Sequence, residues 1–320
     1  MINRTMVRTR VIQTLFAYYQ AEDSTPAQAR KALLRSFTDT YALYIQLFGF
    51  AGELIRYAEQ QMEESEARAR ATHTHFVPDR RFINNQLADD LFHHHELRHF
   101  TEEYQLSWDA GMNAVSSVYK EMLTTPFWKN YMQLETVTYD DDKHLFRRIY
   151  QDLLPRNEEI IPALEEMEVV LDRNHWATDF DVVLSYVIKT LKRFKEHTSS
   201  ESLSDQVPLL PMFDKEEELA FGQDLLQAAI DHHDTYMEMI NRHLKNWDAD
   251  RVAYMDRIIM MTALAEILSF PEIALEVSLN EYIEIAKQYS SDKSHTFING
   301  ILDQVLKEEK DNHALFKSYK

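Results

Sequence analysis

Glycine and proline are almost missing from this chain, at 5 and 8 of 320 residues. Sandwiches and barrels need a turn about every 8–12 residues, and doubly wound folds need glycine-rich phosphate loops, so neither class fits. With 45% apolar residues there is ample material for a core, and the fold class read from composition is all-α. No cysteine is present. That excludes disulfides, thiolate metal sites, iron–sulfur clusters and cysteine nucleophiles, and it points to the cytoplasm. The longest apolar run, Ile258 to Leu268, is interrupted by Thr262 and Glu266 and is too short to span a bilayer. Residues 1–20 carry arginines but lack the apolar stretch and cleavage site of a signal peptide.

Formal charge is 34 minus 53, or −19, which disfavours broad contact with phosphates. Its distribution is uneven, however. Residues 1–21 hold Arg4, Arg8 and Arg10 and no acid, whereas the acidic runs Asp140–Asp142 and Glu216–Glu218 lie far along the chain. A basic end on an acidic body is therefore expected.

Helical periodicity organises the rest. Val7, Val11, Leu15 and Tyr18 form one stripe, widened by Ile12, Phe16 and Tyr19, and predict a helix over 4–20. Thr25-Pro26-Ala27-Gln28 supplies a cap, a first-position proline and a returning glutamine for a second helix running toward Arg70, with a break or kink expected at Gly49 and Gly52. Further helices are predicted over 82–104, 109–123, 140–154, 157–172, 178–196, 214–245, 249–268, 278–290 and 294–310. Ser278-Leu279-Asn280-Glu281 reads as a capping box and Ser294 as a cap. Residues 197–211, rich in Ser and Asp, read as a linker.

Several groups invite a chemical reading. Arg4 and Arg8, four apart, share one side of a helix and could straddle adjacent phosphates. Phe297 opens the last helix, where it could stack on a base or enter the core. Lys287 and Lys293 flank it, and Ser294 with free helix-start amides could hold an anion. His93-His94-His95 with His99 is the one histidine cluster. It has no clearly placed third ligand, so no metal and no cofactor are expected. The carboxylate runs belong to polar helix faces rather than an apolar pocket, and Ser294-His295 are not aimed at each other, so no catalysis is expected.

The stretch 246–305 carries a resemblance. Trp247 to Arg251, Asp256-Arg257-Ile258-Ile259 and Ala263 to Leu268 resemble the central helix of the transcription antitermination factor NusB family. Pro271, Val277 to Glu281 and Glu284 to Lys287 resemble its proline-containing loop and next helix. Ser294-His295-Thr296-Phe297-Ile298-Asn299-Gly300-Ile301-Leu302-Asp303 resembles its closing motif. Arg8, Gln13, Leu15 and Phe16 fall in the register of the family's arginine-rich first helix.

The resemblance implies an all-helical, non-catalytic adaptor in transcription antitermination. Such an adaptor pairs with a basic small-subunit ribosomal protein, NusE, and grips boxA-like single-stranded RNA, reaching other elongation factors and RNA polymerase indirectly. On it, residues 1–20 and 212–320 form a NusB-like bundle, 21–196 an inserted helical region and 197–211 the linker. The implied RNA-binding set is Arg4, Arg8, Arg10, Lys287, Lys293, Ser294 and Phe297. Asp256, with Asp250 second, would face the ribosomal protein. The family's consecutive arginines are here spaced out, so a protein-only scaffold without RNA contact stands as the alternative.

The inserted region also echoes the C-terminal part. Asp142-Lys143 and Gln151 to Leu154 recur 72 residues later as Asp214-Lys215 and Gln223 to Leu226, and Trp176 recurs 71 later as Trp247. A duplicated helix pair and a chance likeness of amphipathic helices both fit this.

Overall fold

The computed structural model describes residues 1–196, 207–244, 252–290 and 294–311. Fourteen α-helices are present among them, and the only extended pairing is an isolated bridge between Ile2 and Phe213. None of the described helices is long and apolar enough to cross a membrane. The chain divides into two compact units, Met1–Phe37 with Met212–Lys320, and Thr38–Pro211.

In the first unit α1 (Arg4–Gln20) starts at Asn3, whose side chain accepts from Met6 N at 2.9 Å. Val7, Val11 and Leu15 are buried, as the stripe predicts. The helix α2 (Pro26–Thr72) begins in this unit on the expected box: Thr25 N donates to Gln28 Oε1 at 2.8 Å, and Gln28 N to Thr25 Oγ1 at 3.3 Å. After residue 212 come α10 (Glu217–Asp231), α11 (His233–His243), α12 (Tyr254–Ser269), α13 (Leu275–Tyr289) and α14 (Ser294–Asp311). Gly222 of α10 admits a neighbour at close range: a Cβ there would lie 2.8 Å from Val7 Cγ1 and 3.3 Å from Phe37 Cζ. Every residue of α12 from Ile258 to Ile267 is buried, as a helix apolar on all sides must be.

One polar group interrupts that central helix. Glu266, fully buried, receives Arg8 Nε at 2.7 Å and Nη2 at 2.9 Å, Ser278 Oγ at 2.7 Å and Tyr282 Oη at 3.0 Å. Arg8 also faces Glu281 at 3.3 Å, and Thr5 Oγ1 donates to that carboxylate at 2.7 Å. Burial opposes the charge on Arg8, but the hydrogen bond and field of Glu266 outweigh it and raise the guanidinium above its ordinary range. Burial, with Glu266 beside it, drives the Tyr282 phenol well above its usual value. This network also corrects the expected start of α13. Ser278 lies inside the helix and not at its cap, because the buried carboxylate takes its hydroxyl.

The second unit holds the remainder of α2 with α3 (Gln86–His93), α4 (His95–Glu103), α5 (Met112–Thr124), α6 (Pro126–Tyr131), α7 (Tyr139–Arg148), α8 (Ile160–Val170) and α9 (Trp176–Leu191). The break expected at Gly49 and Gly52 is absent: α2 runs uninterrupted through both. Aromatic donors line it instead: Trp176 Nε1 reaches Asp39 O at 2.8 Å, Trp108 Nε1 reaches Gln46 O at 2.9 Å and Tyr150 Oη reaches Leu47 O at 2.6 Å. The predicted helix 82–104 is split at buried His94. Its Nδ1 accepts from Leu97 N at 3.4 Å, and its Nε2 meets Val207 O at 2.9 Å. Residues 197–206 of the expected linker lie outside the described residues. Its end is fastened within this unit by Leu209 N to Glu96 at 3.0 Å and Tyr41 Oη to Leu210 O at 3.1 Å.

The two echoing runs adopt different backbones. Gln223 to Leu226 is regular α-helix, whereas Gln151 to Leu154 passes from a π-helical turn over Ile149–Leu153 into a 3₁₀ turn over Leu154–Arg156. Pro155, where the other run has Gln227, is the physical difference, for it has no backbone N–H to donate to a carbonyl one turn earlier.

Removing one member of the buried Arg8–Glu266 pair strands the other charge. Arg8→Ala is therefore expected to cost about 3–5 kcal/mol, read as urea-induced loss of helical circular dichroism. Arg8→Met combined with Glu266→Leu should recover most of that loss. A single variant as stable as the parent would show that the pair does not hold α1 in place.

Candidate nucleic-acid and partner interface

Three residues expected at the surface are inside. Arg8 is 2% exposed and committed to Glu266, so it has no guanidinium edge to offer a phosphate. Arg10 is 3% exposed, with Nη1 donating to Gln13 Oε1 at 2.6 Å. Asp256 is 4% exposed and accepts Ser290 Oγ, tying the start of α12 to the end of α13 rather than facing a partner. In each case a polar partner makes burial tolerable: from another helix for Arg8, from the end of α13 for Asp256, and from the same helix for Arg10.

Arg4 keeps part of its surface. Its Nε lies 2.9 Å from Glu218 Oε2, and the guanidinium sits 4.6 Å over the Phe221 ring. Lys287 is exposed and paired with Glu284 at 2.5 Å. Ser294 is buried at the start of α14, and Phe297 is half-buried. Lys293 and Asp250 lie outside the described residues. In the histidine cluster, His94 is buried, while His93 and His99 face Asp89 at 3.3 Å and Glu103 at 3.4 Å. No group of three His, Cys, Asp or Glu able to hold a metal occurs among the described residues.

Two surfaces of this unit combine residues that sequence reasoning did not join. In the first, Phe16 of α1 meets Tyr254 of α12 with ring centroids 5.4 Å apart, and Tyr254 is 39% exposed. Beside them Gln13 Nε2 donates to Tyr289 Oη at 3.4 Å, which brings in the end of α13. On the neighbouring turn of α1, Tyr19 stacks against His233 at 4.5 Å. Partly exposed rings with amide and hydroxyl groups are suited to stacking and edge contacts with unpaired bases. The stripe reading had counted Phe16 and Tyr19 as core. Their place beyond the 7-11-15-18 register was the available signal, while Tyr254 carried none.

The second surface is a groove near the start of α1, lined by Asp214, Glu218, Glu272 and Glu281 with Val277, which is 49% exposed. Arg4 pairs with Glu218, Arg8 with part of Glu281 and the N-terminal ammonium with Asp214 at 2.6 Å, and Lys215 also lines the groove. Its remaining acid, Glu272, stands with the apolar Val277, a mixed polar and apolar surface of the kind proteins dock on.

Residues 180–307 match the family described as the NusB family. The transcription antitermination protein NusB of Bacillus licheniformis is 40% identical over 92 residues, covering 29% of this chain and 71% of that protein. The protein of the same name from Bacillus subtilis is 39% identical over 92 residues, covering 29% and 70%. That of Methylacidiphilum infernorum is 41% identical over 98 residues, covering 31% and 67%. No solved structure matches the chain. Because the likeness extends over more than two thirds of these relatives, the chain belongs to the NusB family.

Proposed function

We propose that this chain is a transcription antitermination adaptor that captures boxA-like single-stranded RNA together with the ribosomal protein NusE, in the cytoplasm and without catalysis. The observation that carries the reading is the match to antitermination proteins named NusB at 39–41% identity. The family match begins at residue 180 and so takes in only the last part of the second unit.

The two surfaces of the first unit divide the work. Bases stack at Phe16 and Tyr254, with Lys287, Lys293 and Phe297 as further contacts. The ribosomal protein takes the groove at Glu272 and Val277, in place of Asp256. Burial of Arg8 and Arg10 removes two phosphate contacts, so the chain alone holds RNA weakly against its charge of −19. A basic partner offsets that repulsion and adds contacts of its own. Gly300 supports a close approach: glycine inside a helix costs about 0.5–1 kcal/mol relative to alanine. Among the described residues nothing lies within 4 Å of where its Cβ would stand, so no packing among them requires glycine there.

Three outcomes follow for fluorescence anisotropy with a boxA-like RNA. Phe16→Ala with Tyr254→Ala should weaken the ternary complex by about 1–3 kcal/mol for each base unstacked, with helical circular dichroism unchanged. Unchanged affinity would favour the protein-only scaffold. Glu272→Lys with Val277→Ala should weaken the NusE complex measured without RNA; equal binding would remove the groove from the interface. Gly300→Ala should raise thermal stability by about 0.5–1 kcal/mol while impairing ternary assembly. Assembly as tight as the parent's would mean that the helix merely tolerates glycine.

A further inference from the structure

The densest group of uncommitted cations in the described residues is not in the first unit. It lies where α9 ends, in the second unit and within the residues that match the NusB family: Lys189, Lys192, Arg193 and Lys195, all exposed. From Val182 to Lys195 the chain has these four cations and no acid, although its net charge is −19. None of the four is ion-paired among the described residues. Most cations elsewhere in this unit are engaged, as with Arg56 and Glu53, Arg80 and Glu59, Arg148 and Asp152, or Arg173 and Asp39.

The segment bearing them is rigidly seated. α9 buries Trp176, Phe180, Val183, Leu184, Val187 and Leu191, which turns Val182, Ser185 and Lys189 outward. Past its end the chain folds into a turn, with Arg193 N bonded to Thr190 O at 2.9 Å and Phe194 N to Leu191 O at 3.3 Å. Phe194 is 1% exposed, and its carbonyl accepts Lys143 Nζ at 3.2 Å. A buried aromatic thus anchors the turn while the cations on either side of it face solvent. Cations near a helix C-terminus also complement its dipole, an effect that fades beyond the last turn and does not reach Lys195. Tyr186, half-buried, lies one turn before Lys189 on the same side and one register before Arg193.

We infer that this cationic end of α9 is a second RNA contact, which takes the phosphate backbone of single-stranded RNA flanking the segment held by the first unit. The inference rests on the adaptor reading above. Ammonium groups three and four residues apart stand about 5–6 Å from one another at Cβ and can follow successive phosphates. Strong hydration and long flexible stems make lysine a point-charge phosphate ligand, suited to backbone tracking without base selection. An acidic body that repels RNA elsewhere confines the strand to such a local patch.

The test uses the full chain and two labelled RNAs, a boxA-like oligonucleotide and the same sequence extended by about 20 uridines at either end, a length that exceeds a single contact site. The extended RNA should bind more tightly to the parent protein. Changing Lys189, Lys192, Arg193 and Lys195 together to Ala should lower its affinity about 10-fold at low salt and reduce the slope of log affinity against log salt by about 2–3. Binding of the short RNA should be unaffected, and Lys189→Arg with Lys192→Arg and Lys195→Arg should retain the parent behaviour. If the short RNA binds and the extension adds nothing, or the fourfold variant keeps the full salt slope, the second contact is overturned and the adaptor reading stands. If the parent binds neither RNA with NusE present, both readings fall. Displacement of the extended RNA by polyglutamate of equal charge as readily as by unlabelled RNA would assign the patch to an acidic protein segment instead.

Discussion

One buried carboxylate organises the family-like unit. Glu266 sits in a helix with no solvent-facing side, and it is tolerable there because an arginine fork, a serine hydroxyl and a phenol saturate its oxygens. Those donors come from α1 and α13, so satisfying a single charge fixes three helices relative to one another. A hydrophobic residue would pack as well, but without the directional demand that draws α1 into one register. The aromatic surface at Phe16 and the groove at Glu272 both depend on that register, because each combines α1 or its approach with later helices.

An acidic protein that captures RNA has to separate its charges. In the first unit the cations nearest the start of the chain are spent on internal acids, and stacking groups remain at the surface where a phosphate ladder was expected. In the second unit the cations at the end of α9 fall within a run of fourteen residues, 182–195, that has no negative charge and is bounded by Asp181 and Glu196. A polyanion approaching such a protein meets repulsion over most of its area and attraction at few places. That favours defined docking over diffuse adhesion.

Burial of polar groups explains where sequence reading of the site went astray. Arg8, Arg10 and Asp256 stand at positions that helical spacing leaves uncommitted, and residue type alone places charged groups at the surface. Each is inside because a partner is there to meet it. The partner of Arg8 lies 258 residues away along the chain. Ser278 shows the same effect locally: its spelling fits a cap, yet a buried carboxylate competes for the hydroxyl and the helix starts earlier, at Leu275.

Helix content, the ends of α1 and α2, the burial of α12 and membership in a helical adaptor family were all legible from the amino-acid sequence. These properties follow from short-range causes: the scarcity of glycine and proline, the 3.6-residue period, and capping groups within three residues of their targets. The tertiary structure decided which polar residues go inside, whether α2 breaks at its glycines, and which aromatics from distant segments share a surface. Those outcomes depend on which groups the fold brings together, across 258 residues for Arg8 and Glu266, and the free energy of burying a charge is set by its neighbours rather than by its own identity.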